Sequence, residues 1–300
     1  MYAHSKQICL FFLIVIFPFS TAALVSAQIP SAQVAGAKES IKDFSEHRNQ
    51  ACGFEETGRF EEAVESCEQA LLLKPDDAEI YNNLGTARAR MGRLEEALPA
   101  LLRSVELKPD LAVAQYNLST VYRHLRRKGE ALQPARKAVN LLPQDAKIRL
   151  NLCELNLELE INKEAVTCFE SLTKFAEPDA RIQTFYGLAL VRTKNLKKAI
   201  TVLRETTQLF PNHAAAHNIL GVALINKKKY KEAIQFIRRA LEINPNFEPA
   251  RFNLAVAQMK NNNRASALKH YRILQNANSS LAVKLYKIIF SDKVLFVEKK

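Results

Sequence analysis

The chain has 300 residues, 48% of them hydrophobic, no tryptophan and a formal net charge of +12. That apolar fraction is ample for a continuous core between stacked helices, and no second globular domain is expected within these residues, because only 19 follow the periodic array described below. The charge is uneven: residues 180–300 carry 22 Lys and Arg against 6 Asp and Glu, whereas residues 28–179 carry 20 against 25. Such a basic pole either attracts acidic protein segments, anionic lipid head groups and polyanionic polymers, or is simply a solvated surface.

In chain order, residues 1–27 read as a secretory signal. A short polar region with Lys6 precedes an apolar run over residues 8–19, and small residues end at Val25-Ser26-Ala27 before Gln28. The alternative is an uncleaved anchor that tethers the chain to a membrane, because the apolar stretch extended to Val25 approaches a bilayer-spanning length. Either way the remainder is expected outside the cytoplasm, periplasmic or secreted, and nucleic acid is not expected as a partner. Residues 28–43, rich in Ala, Ser and Gln with Pro30 and Gly36, read as a linker that turns helical near Ser40.

From residue 44 the sequence repeats itself. Alanines recur every 34 residues at Ala63, Ala97, Ala131, Ala165, Ala199, Ala233 and Ala267. Seven units follow, 44–77, 78–111, 112–145, 146–179, 180–213, 214–247 and 248–281, with each of these alanines at position 20. A fixed period of this length predicts a solenoid of stacked helix pairs. Position 8 is small at Ala51, Gly85, Ser119, Cys153, Gly187, Gly221 and Ala255, as needed where two helix backbones approach closely. Position 32 is proline at Pro75, Pro109, Pro143, Pro211 and Pro245, which stops the second helix of each unit. Residues 282–290 continue as a capping helix over the open face of the last unit, within a closing segment 282–300 whose final residues read as a tail.

This pattern resembles the tetratricopeptide repeat family, and the likeness covers residues 44–281. It implies an all-α fold, a right-handed superhelical solenoid of seven helix-turn-helix repeats with a C-terminal capping helix. Departures are local: the family's aromatic at position 4 survives only as Tyr81, position 11 is polar at Arg88, Asn156 and Gln258, Pro178 comes one place late in repeat 4, and Ser279 replaces proline in repeat 7.

The resemblance also places the first helix of each unit along a concave groove, with positions 2, 5, 6, 9, 12 and 13 facing it. Position 6 is asparagine at Asn49, Asn83, Asn117, Asn151 and Asn253. A carboxamide offers one acceptor and two donors, so a row of them can hold an extended peptide by its backbone. The row resembles the asparagine ladder in the tetratricopeptide superhelix of the O-linked N-acetylglucosamine transferase; the alternative is that these side chains satisfy neighbouring helices. In repeats 5 and 6 position 6 becomes Phe185 and Ile219, and the groove turns apolar, with Leu188, Val222 and Val256 at position 9, Val191, Ile225 and Met259 at position 12, and Phe252 at position 5. Such a strip takes apolar side chains of a partner, unless superhelical closure buries it. The family's clamp for a terminal carboxylate wants lysine at position 5 and asparagine at position 9, with basic residues at positions 2 and 6 of later repeats, and no such set is present.

Four cysteines fall in two pairs 15 residues apart, Cys52 with Cys67 and Cys153 with Cys168, each pair spanning one helix hairpin. An exported chain permits a disulfide in each; the other reading is small core residues, because positions 9 and 24, or 8 and 23, do not obviously face each other. His213 and His217 are the one metal-like spacing, with no third ligand, and read as packing or capping residues. No nucleophile elbow, phosphate loop or carboxylate pair is present, so no cofactor and no enzymatic activity are expected. The expectation is an adaptor or assembly factor that binds segments of other proteins, with a polyanion or membrane-surface binder as the alternative.

Overall fold

A computed structural model describes residues 43–47, 50 and 57–294. The signal or anchor segment 1–27, the linker, Asn49, Cys52 and residues 295–300 lie outside the described residues.

Helix α1 (Phe60–Leu73) is the second helix of repeat 1. Pairs follow: α2 (Ala78–Arg90) with α3 (Leu94–Leu107), α4 (Ala112–His124) with α5 (Lys128–Leu141), and α6 (Ala146–Glu158) with α7 (Asn162–Leu172). The remaining pairs are α8 (Ala180–Arg192) with α9 (Leu196–Leu209), α10 (Ala214–Asn226) with α11 (Tyr230–Ile243), and α12 (Glu248–Lys260) with α13 (Arg264–Asn276). Helix α14 (Ser280–Val294) closes the series, starting two residues before the expected cap and running past its expected end. Ser279 explains the early start: its Oγ accepts from the Leu281 amide and donates to Glu248, making a helix start where five of the other repeats have proline.

Local chemistry sets the boundaries. Asp77, Asp145 and Asp179 accept from amides in the first turns of α2, α6 and α8, and His213 Nδ1 does the same for α10. Helices α1, α3, α5, α9 and α11 each end two residues before the position-32 proline. Between the helices of a pair, position 15 adopts the left-handed conformation in every repeat, at Gly58, Gly92, Arg126, Glu160, Lys194, Lys228 and Asn262. The next amide then returns to the carbonyl five residues back, as in Arg93 to Arg88 and Lys229 to Leu224, which is the Schellman closure.

The alanines at position 20 are all buried. At position 8 the backbones approach so closely that a Cβ on Gly187 would stand 2.5 Å from Leu203 Cγ, and one on Gly221 2.2 Å from Ile237 Cγ1. In repeat 4 this proximity brings Cys153 and Cys168 to a Cα separation of 5.3 Å, and their sulfurs are bonded. Positions 8 and 23 therefore do meet, because position 8 is where the paired helices come nearest. Cys67 is buried.

Each first helix packs on the first helix of the next repeat, from α2 with α4 through to α12 with α14, whereas among the described residues the backbones of successive second helices stand apart and are joined only by long side chains, as in Arg136–Glu164, Lys198–Glu170 and Arg204–Glu232. The first helices thus form the inner, concave layer and the second helices the outer one. Between the two layers the buried apolar residues form successive clusters along the stack, from Cys67, Ile80 and Leu84 at one end to Leu274, Leu285 and Ile289 at the other.

Candidate functional site

The inner face carries a trough across repeats 2 to 5. Two cavities of about 420 and 470 Å³ share Tyr116, Thr120, His124 and Lys147. The first extends to Thr86, Arg90 and Asn117, the second to Asn151, Glu154 and Arg181. All of these stand at positions 2, 5, 6, 9, 12 or 13 of first helices.

The asparagine row passes through this trough and reaches Asn253 in repeat 7, and its amide groups are mostly turned toward the preceding repeat. Asn117 Nδ2 donates to Asn82 Oδ1 at 2.9 Å and to Thr86 Oγ1 at 3.0 Å. Asn253 Nδ2 donates to Asn218 Oδ1 at 2.9 Å, the same position-6 to position-5 link. Asn83 is half-buried and accepts from Asn82 at 3.3 Å. Asn151 is buried and committed at both ends, donating to Ser119 Oγ at 2.9 Å and accepting from Arg123 at 2.6 Å. So the recurring carboxamide ties consecutive first helices together through side chains rather than through helix carbonyls. No donor among the described residues reaches Oδ1 of Asn117 or Asn253, which leaves these oxygens as acceptors toward the groove.

An ion network fills the trough over repeats 3 to 5. Arg123 reaches Glu154 at 3.1 Å and Glu158 at 2.7 Å, Lys128 reaches Glu158 at 3.1 Å, and Arg181 also holds Glu154. Burial works against the Arg123 charge, but hydrogen bonding and attraction from Glu158 and Glu154 outweigh it and raise its pKa. Burial likewise opposes the Glu158 charge, and the bonds from Arg123 and Lys128 outweigh it, holding that carboxyl below the usual glutamate range. Apart from Lys128, which begins α5, these charges belong to groove positions whose register was legible, and reading positions 2, 9, 12 and 13 for charge as well as for apolarity would have found them.

Further along, Phe185, Leu188, Val222, Ile225, Phe252, Val256 and Met259 are all half-buried, with one side packed on the core and the other open. Val191 differs, being closed over by its neighbours. His217 donates through Nε2 to the Pro211 carbonyl, 3.0 Å away, and stacks on Phe236, while His213 is a helix cap. Among the described residues no group of three or more His, Cys, Asp or Glu is arranged to hold a metal ion.

Tetratricopeptide repeat models match residues 76–144, 187–246 and 224–284, and a further TPR repeat model matches 54–92. Among solved structures, YrrB, described as a TPR protein with an unusual peptide-binding site, is 24% identical, with a TM-score of 0.58 over 63% of this chain and 97% of its own. A tetratricopeptide repeat protein from Parabacteroides merdae is 15% identical, with a TM-score of 0.61 over 83% of this chain and 99% of its own. PilW, a widely conserved type IV pilus biogenesis factor, is 15% identical, with a TM-score of 0.60 over 69% of this chain and 97% of its own. No curated protein matches the sequence. Periodicity, capping, close-approach positions and these likenesses agree, and the chain belongs to the tetratricopeptide repeat family.

Proposed function

We propose that the protein is a non-enzymatic scaffold that binds extended segments of partner proteins in its concave groove and serves the assembly or organisation of an exported or envelope complex. The observation that carries this reading is the trough of repeats 2 to 5, which offers acceptors and charges beside the half-open apolar strip of repeats 5 to 7. Along the groove, Oδ1 of Asn117 in the trough and of Asn253 in repeat 7 receive backbone amides of the bound segment, with Asn49 and Asn83 continuing the row, while Asn151 shapes the trough through its bonds to Ser119 and Arg123. Phe185, Leu188, Val222, Ile225, Phe252, Val256 and Met259 receive its apolar side chains. The envelope setting rests on residues 1–27, read as an export signal or anchor, and on the likeness in fold to a pilus biogenesis factor; no helix among the described residues is long and apolar enough to cross a membrane.

The test is site-specific photo-crosslinking in envelope extract from probes placed at Thr120 and Leu188 in the groove, and at the exposed Thr201 on the outer layer. Discrete partner segments joined to the first two positions and not to the third are expected. Equal labelling at all three would remove the groove as the binding face. A second reading, contact with polyanions or a membrane surface, rests on the exposed Lys227, Lys228, Lys229 and Lys231 of the basic half; capture that collapses at modest salt would favour it.

A further inference from the structure

We infer that the trough over repeats 2 to 4 receives an acidic side chain of the bound segment, held by Arg90 and Lys147 with the His124 imidazole beside them. This deepens, and rests on, the reading of the groove as a peptide site.

The argument begins with what is missing around these groups. All three line the cavity of about 420 Å³, and none of its lining residues is acidic. Among the described residues none of the three belongs to an ion pair, whereas the adjacent cations Arg123, Lys128 and Arg181 are all matched by Glu154 and Glu158. The protein therefore neutralises its groove cations in one stretch and leaves them open in the next. Lys147 is also poorly placed for its own helix. It stands in the first turn of α6, where the helix dipole disfavours a cation, and its ammonium lies 5.1 Å from the centre of the Tyr116 ring. Nor is the charge a by-product of general basicity, because residues 28–179 carry more acidic than basic side chains.

The size of the patch selects the ligand. On one side the cations are already engaged by Glu154 and Glu158, and on the other the lining is Ala89, Leu94 and Leu101. A polyanion needs a continuous cationic track, while a single carboxylate fits here. Thr120 donates its hydroxyl to the Tyr116 carbonyl at 2.9 Å, so its remaining lone pairs, like Oδ1 of Asn117, accept. Amides of an extended backbone can bond to these acceptors while the acidic side chain meets the cations.

The experiment is fluorescence anisotropy of the full chain with labelled, C-terminally amidated dodecapeptides: four Gly-Ser-Glu units, their Gly-Ser-Gln counterpart, and a long-chain polyphosphate as competitor. The Glu peptide is expected to bind about tenfold more tightly than the Gln peptide, as one or two charge-assisted hydrogen bonds imply. Arg90→Gln with Lys147→Gln is expected to erase that preference, while Arg90→Lys with Lys147→Arg retains it and Lys227→Gln with Lys228→Gln and Lys229→Gln leaves it unchanged. Equal binding of the two peptides, no binding of the Glu peptide at millimolar concentration, or an equal loss in the Lys227 set would each overturn the inference. So would polyphosphate bound at Arg90 and Lys147 more tightly than the Glu peptide. If both peptides bind equally and a filled trough, Thr120→Trp, displaces both, the acidic preference falls while the groove reading survives; uniform photo-crosslinking at Thr120, Leu188 and Thr201 is the separate result that ends the groove reading.

Discussion

Gly187 and Gly221 stand against Leu203 and Ile237 with no space for one more carbon. Gly221→Ala is therefore expected to cost about 1–3 kcal/mol as overpacking, read as a lower melting temperature. Lys228 poses the opposite problem, holding φ at +62° with a branched Cα. Lys228→Gly relieves the left-handed strain and pays glycine's chain entropy, a net gain of about 0.5 kcal/mol and a melting rise of about 1–2 °C. A fall instead would mean that the lysine side chain stabilises the turn more than its backbone strain costs. Two histidines give a pH dependence. Burial lowers the His217 pKa against the opposing Pro211 carbonyl, and burial followed by Arg251 and Arg238 lowers that of His270. The unfolded chain then takes up protons that the folded one refuses, so stability is complete above the ordinary histidine value of 6.5 and declines as pH falls below it. Melting curves from pH 7.5 to 5.5 should show this decline, reduced in His270→Gln. At this scale the asparagines of position 6 were legible as a row, yet their use was not. Whether a carboxamide faces a ligand or the residue 35 places back depends on how close successive first helices lie, and that spacing is a property of stacking rather than of any residue's type.

Repeat 4 is where the element pattern loosens. Helix α7 has 11 residues, against 14 in α3, α5, α9 and α11, and its proline comes one place late. The Cys153–Cys168 bond ties this shortened hairpin together. By loop closure alone a bridge of this span contributes up to about 3 kcal/mol, so Cys153→Ser with Cys168→Ser is expected to speed amide exchange in α6 and α7 well before α2 or α12. Uniform acceleration along the chain would contradict that. The left-handed turns were not readable, because position 15 holds Arg126, Glu160 and Lys194 as well as glycine, whereas the ends of the second helices were, since proline acts within a few positions of where it stands. The cysteine pairing was less so: it needed the knowledge that position 8 is the point of closest approach, which small residues suggested but did not measure.

For the molecule as a whole, a 34-residue period and a buried alanine once per unit determine a neighbour-on-neighbour stack. Stability in such a stack is a sum over repeats and the contacts between them. Removing α14 uncovers Leu274 and the face that Leu285 and Ile289 cover. A chain ending after Asn276 is thus expected to lose amide protection in α12 and α13 while α2 to α5 keep theirs; loss throughout would mean that the array unfolds as one unit. The inner layer is closely packed while the outer helices are joined only by surface ion pairs, and this gives the protein a mechanical character. Rotation about the inner row separates or gathers the outer helices without opening a packed seam between them, because only exposed ion pairs such as Arg136–Glu164, Lys198–Glu170 and Arg204–Glu232 join them, and these contribute little. The array can therefore behave as a spring hinged on its inner side, and a segment slightly longer or shorter than the resting groove is accommodated by a small turn shared among many repeats instead of a large one at any single joint.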